Sequence, residues 1–311
     1  MFFSRGKKTS MAIISINKGR TKMLTALQLQ ETQKFEQGKI VGNILFTSYR
    51  HIFNVFEPKI IINIQKGDYI IKTAENGDEL EETLRLRHDV FYREIIGKKR
   101  SFNLDMDEHD AYCDHLVIID RRNDQIVGTY RLIADSFYDK FYSECEFDIQ
   151  NIKKLDGIKL ELGRACIAKN YRNGKTILLL WQGLHEYILK SGARYLFGCA
   201  SINTTDVMKI AILESYLRQN FYAAQDMRVT PKNSYHIKEL ASIVNVLDAY
   251  TTNKPKVARL IPSLLNSYLS LGAKVCGEPA YDSEFKCMDY LTILDLAALN
   301  KNYMDKVLAE S

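Results

Sequence analysis

The sequence predicts a mixed α/β domain, a central sheet with helices on both faces. Three observations carry this expectation. Strand-like runs alternate with helix-period segments from about residue 68 onward. Residues 159–202, "KLELGRACIAKNYRNGKTILLLWQGLHEYILKSGARYLFGCASI", read strand, helix, strand, the pattern of a right-handed parallel crossover. With 311 residues, 46% of them apolar and 26% charged, the chain has the composition of an ordinary globular protein and can bury a sizeable core.

In chain order, residues 25–56 are helix-compatible and partly amphipathic, and residues 1–66 as a whole read as a basic N-terminal extension. Its first thirty residues carry six basic side chains (Arg5, Lys7, Lys8, Lys18, Arg20, Lys22) and no acidic one. That asymmetry fits a frayed or mis-started terminus, given Met11 and Met23. The competing reading is a peripheral contact with anionic lipid, worth at most about 1 kcal/mol per basic residue. The folded domain is expected over 67–311. "DYIIKTA" (68–74) predicts a strand, Asn76-Gly77-Asp78 a turn and helix start, and residues 79–95 space Leu80, Leu84, Val90 and Phe91 at near-helical intervals. "HLVIID" (115–120) and "QIVGTYRLI" (125–133) flank a four-residue polar turn and predict a hairpin. The strand "KLELGRACI" follows, then a helix from about Thr176 to Lys190 ended by Gly192, then the strand "YLFGCASI". A helix from Thr205 to about Asn220, with Thr204 or Thr205 as cap, precedes a looser segment. A helix near 262–271 and two late strands around "KVCGEPAYD" and "MDYLTILDL" complete the pattern.

Several function classes are excluded on composition. A net charge of +5 without a basic, aromatic-interleaved stripe argues against nucleic-acid binding, though it favours approach to an acidic protein or anionic surface. No apolar run nears the roughly 20 residues a spanning helix needs. The six cysteines are scattered without a CxxC pair, which reads as reduced thiols in a cytoplasmic protein. Cys166 and Cys199 lie in apolar strands with no evident base and read as structural thiols. Cys113 and His115 lack a second pair at zinc spacing, so no metal is expected. "GKT" at 174–176 lacks the Walker spacing.

Chemistry is expected where charge interrupts apolar strands, because an unpaired buried charge costs several kcal/mol or shifts its pKa. Glu161 and Arg164 do this. Residues three apart on a regular strand face opposite ways, and Gly163 between them invites a bulge that turns both toward one cleft. An ion pair that simply locks the strand is the competing reading. Asp105, Asp107, Asp110 and Asp114 place four carboxylates within ten residues, which repel one another unless a cation sits nearby; a solvated acidic loop is the alternative. An EF-hand is excluded, with Asp110 at the glycine position and Leu116 where glutamate is needed. Arg87 and Arg131 could answer those aspartates or a substrate carboxylate.

A family resemblance joins these features. The succession Arg85-Leu86-Arg87, Phe91-Tyr92, "DMDEHDAYCDHL" (105–116), "VGTYRL" (127–132), "EFDI" (146–149), "ELGRACI" (161–167), "LLLWQGL" (178–184), "YLFGCASI" and "GEPAYD" (277–282) resembles the ornithine-lipid N-acyltransferases. These are bacterial members of the GNAT acetyltransferase superfamily, similar in turn to acyl-homoserine-lactone synthases. The resemblance covers roughly residues 70–297. It implies transfer of a 3-hydroxyacyl chain from acyl carrier protein to the α-amine of ornithine, forming lyso-ornithine lipid at or near the inner face of a membrane. No resident cofactor is implied, since the phosphopantetheine arm belongs to the donor.

On this reading Glu161 is the general base, directly or through water, and Arg164 holds it or binds a carboxylate or carbonyl. Arg87, Asp105, Asp107, Asp110, Asp114 and Arg131 form the amino-acid site. Phe91, with Tyr92 and Phe147, lines the acyl pocket. Backbone N–H groups of Gly163, Arg164, Ala165 and Cys166 polarise the thioester, and Arg172, Lys175 and Thr176 receive the phosphate end of the donor. The loop "YRNGKT" keeps one glycine of the superfamily's phosphate loop, which favours a carrier protein with a single phosphodiester. A lactone-forming autoinducer synthase is one rival, and a non-catalytic lipid- or carrier-binding protein is another.

Overall fold

The computed structural model describes residues 52–99, 101–248 and 257–299, so the basic terminus and most of the helix-compatible stretch at 25–56 lie outside the described residues. Among those described, nine strands pair into one sheet. They are β1 (Asn63–Lys66), β2 (Tyr69–Thr73), β3 (Asp114–Asp120), β4 (Gln125–Ala134), β6 (Ile158–Ile167), β7 (Ala193–Ile202), β9 (Lys274–Val275), β10 (Ala280–Asp282) and β11 (Cys287–Asp295). Their order is β1-β2-β3-β4-β6-β7-β11-β10, with β9 also pairing β11. Every pairing is antiparallel except β6 with β7, the parallel crossover read from the sequence. A separate small pair joins β5 (Phe147–Asp148) to β8 (Thr230–Pro231).

Helices cover both faces, and strand alternation decides which residue meets which helix. The α1 helix (Gly77–His88) starts at Asn76, whose side chain accepts the Glu79 N–H, and packs Leu80 and Leu84 against Val117, Ile119 and Ile126. It continues into a π-helical turn, Asp89–Ile96, ended by Gly97 in the left-handed region. A single turn, α2 (Gln150–Lys153), covers the same face further along, where Ile152 joins Ile133, Phe141 and Phe197. On the opposite face α3 (Lys175–Ser191) lays Leu179, Leu180 and Tyr187 on Ile71, Leu116, Ile118 and Val127. The helices α4 (Val207–Asn220), α5 (Leu240–Asp248) and α6 (Ser263–Ser270) bury Ile210, Leu217, Val244 and Leu265 against Ile202 and Tyr290 on that face.

Three expectations are corrected. The domain does not begin at 67: Phe56 and Ile62 are already core residues and β1 is the edge of the sheet. The cap of α4 is Asp206, which accepts from the Met208 and Lys209 N–H groups, while Thr204 accepts from Asp206. The looser segment after α4 holds α5, which buries Leu240 and Val244 and exposes Ser242 and Asn245; its nine residues are too few to show a clear helical period.

Two departures from a regular sheet open its centre. On β6 the register against β4 slips between Gly163 and Cys166, and Arg164 takes a φ of 50°, a left-handed conformation costing about 1–3 kcal/mol for a non-glycine residue. The bulge expected at Gly163 thus centres on the next residue. The parallel pairing of β6 with β7 ends at Glu161–Phe197, and beyond that point the strands part. Gly198 marks the start of the split, because a β-carbon there would run into the Leu162 carbonyl. Gly198→Ala should therefore destabilise the domain by about 1–3 kcal/mol in urea unfolding, a cost typical of overpacking.

Candidate active site

Three arginines converge on three aspartates beneath the bulge. Arg87, fully buried on α1, donates from Nε to Asp105 (2.8 Å) and from Nη1 and Nη2 to Asp110 (2.7 and 3.2 Å). Arg131 on β4 donates from Nη1 to both oxygens of Asp107 (2.7 and 2.6 Å) and to Asp110 (3.2 Å). Arg164 Nε lies 3.3 Å from Asp105, off the hydrogen-bonding direction, and its Nη2 is 3.5 Å from Asp107. The aspartates are presented by a local motif. Asp107 caps the 3₁₀ turn Glu108–Ala111 and Asp110 accepts the Asp107 N–H in return. Burial would raise both Asp105 and Asp107, but the arginines, Arg87 foremost for the first and Arg131 for the second, hold them below the usual carboxylate range. His115 alongside is pushed down to about 4 by burial, so its ring is neutral.

This cluster differs from the expected cation site. The charges of Asp105, Asp107 and Asp110 are answered within the protein. Asp114 is not among them: its side chain faces the other side of β3, accepting from the Lys59 and Ile60 N–H groups and the Tyr187 hydroxyl. Removing one carboxylate would strand buried cations, so Asp110→Asn should cost about 3–5 kcal/mol in urea unfolding at pH 7.

A cavity of about 410 Å³ occupies the split between β6 and β7. Glu161, Gly163, Arg164, Ala165, Arg131 and Phe91 all line it. It is walled from both faces of the sheet: Cys199, Ser201 and Asp289 face the α1 side, while Trp181, Leu184, Tyr268 and Leu271 belong to the α3 side. Arg164 lies between the rings of Tyr142 (4.6 Å) and Phe285 (5.6 Å), and Phe91 meets Phe285 edge-on. Arg131 is 1% exposed, and its Nε and Nη2 have no hydrogen-bond partner; both point toward Gly163 at the cavity wall.

Glu161 and Arg164 do share one cleft, as the bulge predicts, but they do not hold each other. Each Glu161 oxygen accepts a backbone N–H, from Tyr142 (2.6 Å) and Ser143 (2.8 Å), which fixes the turn that carries the Tyr142 ring. Burial raises the Glu161 pKa against the lowering effect of those bonds.

The donor-end residues are placed unevenly. Gly163 and Ala165 face the split, whereas the Cys166 thiol is buried opposite Thr129, outside the cavity, with its pKa pushed by burial to about 12. Arg172, at the N-terminus of α3, forms a two-pronged ion pair with Glu94 of the π-helical turn. Lys175 lies over the Tyr69 ring at 5.6 Å, and the Thr176 hydroxyl donates to the Tyr171 carbonyl. Tyr92 packs on Phe285 and donates to Glu284, and Phe147 is core beside Ile133, Phe141 and Phe197 rather than acyl-pocket wall.

An acidic trio completes the cavity. Asp282 and Asp289 line it, with Glu146 behind them; all are at least nine-tenths buried, and none has a salt-bridge partner among the described residues. Burial, then Asp289 and Asp282, raise Glu146 to about 9, and burial raises Asp289 to about 6. Both folded values lie above the ordinary carboxylate ones, so folding favours the protonated forms. The stability they confer is complete at low pH and is lost as pH climbs toward 9. The melting temperature should fall between pH 5 and pH 9, and Glu146→Gln should flatten that slope. These residues stand in the quoted blocks "EFDI" and "GEPAYD" and the strand "MDYLTILDL". Asp289 interrupts an apolar strand as Glu161 does, so the same rule would have found it.

Residues 86–182 match the acetyltransferase (GNAT) domain family. The L-ornithine N(alpha)-acyltransferase of Rhizobium meliloti (strain 1021) is 30% identical over 251 residues, covering 75% of this chain and 82% of its own. That of Rhodobacter capsulatus is 30% identical over 254 residues, covering 76% and 93%. The chain belongs to the L-ornithine N(alpha)-acyltransferase family. Among solved structures, a CoA-dependent acyl-homoserine lactone synthase with SAM and isopentyl-CoA is 14% identical with a TM-score of 0.42, covering 75% of this chain and 82% of its own. The GNAT match over residues 86–182 falls on the mixed sheet of this family member, and its charged residues gather where that sheet divides.

Proposed function

We propose that this acyltransferase moves a 3-hydroxyacyl chain from the phosphopantetheine thioester of acyl carrier protein to the α-amine of ornithine, giving lyso-ornithine lipid. Membership of the ornithine acyltransferase family supports the acceptor. The observation that carries the reading is the cavity itself. It runs through the sheet from an apolar wall on the α3 side to a wall of opposite charges on the α1 side.

The acyl donor enters against Trp181, Leu184 and Leu271, and the amino acid enters from the charged side. The free Nε and Nη2 of Arg131 receive the substrate carboxylate. At the bulge, Arg164 and Ala165 have no register partner on β4 and lie where β7 has parted, and in this reading their N–H groups polarise the thioester carbonyl. The neutral amine attacks the carbonyl carbon, its proton passes to Glu161 directly or through water, and the C–S bond breaks to release the carrier thiol. No resident cofactor takes part in these steps. Arg164 orients the site rather than holding the base: it neutralises Asp105 and Asp107 and packs the two aromatic rings of the cavity.

For the donor end, a single left-handed glycine, Gly174, precedes α3, with Lys169 and Lys175 beside it. That suits one phosphodiester on an acidic carrier protein. Among the described residues no helix is long and apolar enough to cross a membrane.

Incubating the purified chain with 3-hydroxyacyl carrier protein and ornithine should yield the Nα-acyl product by mass spectrometry; no product from any amino acid would refute the reading. Arg131→Gln should raise the KM for ornithine about 10- to 100-fold, the cost of a lost charged hydrogen bond. Glu161→Gln should lower kcat by about 100-fold or more and remove the acid limb of its pH profile, which disruption of the Tyr142 turn alone would leave in place. Lys175→Glu should weaken turnover with acyl carrier protein more than with a short pantetheine thioester.

A further inference from the structure

The acidic trio has no role in the steps above, and its chemistry is specific. The oxygens of Asp282 and Asp289 and the Cys287 sulfur all lie within 4.8 Å of one another. Asp289 hydrogen bonds to Ser201 and to Glu146, which carries the shared proton at neutral pH, and Asp282 accepts from the Glu284 and Phe285 N–H groups; none of these bonds brings a cation to Asp282 or Asp289. Arg164, the cation that acts on Glu146 and Asp289, is already engaged by Asp105 and Asp107. The proton on Glu146 relieves part of the repulsion among these groups, and a bound cation would relieve the rest. A second feature of the same cavity points to a ligand of mixed charge, namely the almost fully buried Arg131 with two nitrogens unpartnered.

Their relative placement follows from strand register. Glu161 and Phe197 are the last parallel pair, Ala165 lies four residues beyond the first and Ser201 four beyond the second, and Asp289 pairs with Ser201. The bulge takes up one extra residue of β6, so the bulge and the acidic trio face each other within about one residue of the same height across the split, with Arg131 beneath the bulge. A zwitterion with an additional cationic end fits between them.

We propose that Asp289 and Asp282, backed by Glu146, hold the side-chain ammonium of a diamino acid, and so select both the substrate and the nitrogen that is acylated. This deepens the ornithine reading and rests on it. A nitrogen attacks a thioester only as the neutral amine, and carboxylates stabilise its protonated form. A pocket of unpaired carboxylates therefore suits the nitrogen that must not react. Anchoring the terminal ammonium there and the carboxylate on Arg131 leaves the α-nitrogen free at the bulge.

The test compares ornithine with 2-aminopentanoic acid, which has the same carbon chain without the terminal nitrogen, in the wild type and Asp289→Asn. The wild type should favour ornithine about 100-fold in kcat/KM. In the variant that preference should fall about 10-fold or more through the KM for ornithine, with Nδ-acyl product appearing in tandem mass spectra. An unchanged preference, or equal losses on both amino acids, would overturn the proposal. Binding gives a separate readout without donor: ornithine, but not 2-aminopentanoic acid, should raise the wild-type melting temperature, and Asp289→Asn should abolish the rise. The same rise with both amino acids, or a rise with zinc or magnesium salts alone and none with ornithine, would also overturn it. Selective stabilisation by ornithine with no acyl transfer to any amino acid would sink the proposed reaction and leave the ammonium site standing.

Discussion

Arg164 holds a left-handed backbone conformation inside a β-strand, and the site depends on what keeps it there. The strain is offset by attraction to Asp105 and Asp107 and by stacking between Tyr142 and Phe285. Because the kink shifts the register against β4, the side chains of Glu161 and Arg164 reach one cleft, and the backbone between them stops being a ladder. With β7 diverging from the same point, a sheet that would otherwise seal its own centre becomes a passage.

Charge is distributed around that passage in two ways. Below the bulge, three arginines and three aspartates neutralise one another, and burial strengthens each attraction because water no longer screens it. Such a cluster is rigid and holds Arg131 still while leaving part of its guanidinium unused. Across the split, the carboxylates of Asp282, Asp289 and Glu146 lack that compensation, and the raised pKa values of Glu146 and Asp289 express the cost. Neutralised and uncompensated charge side by side separate scaffold from binding surface, which a count of acidic residues would not do.

Glu161 shows why a charged residue in an apolar strand is a good pointer to a site and a poor guide to its partner. Its carboxylate binds backbone amides of a turn almost twenty residues upstream, and the arginine three residues away pairs elsewhere. Asp114 makes the same point. It shares a short sequence window with Asp105, Asp107 and Asp110, yet the alternation of β3 sends it to the opposite face, to Tyr187.

The order of the central strands and helices, the hairpin, the parallel crossover with its Gly192 stop and the bulge beside Gly163 were determined by the sequence itself. Each rests on local periodicity, turn chemistry or backbone freedom within a few residues. Only the tertiary structure decided which cation meets which carboxylate, and that the uncompensated acids are Asp282, Asp289 and Glu146 rather than the aspartates at 105–114. The reason is physical: those pairings depend on strand register and on which face each side chain takes across β4, β6, β7 and β11. A shift of one residue reverses the face, and no local pattern records the register between strands far apart in the chain.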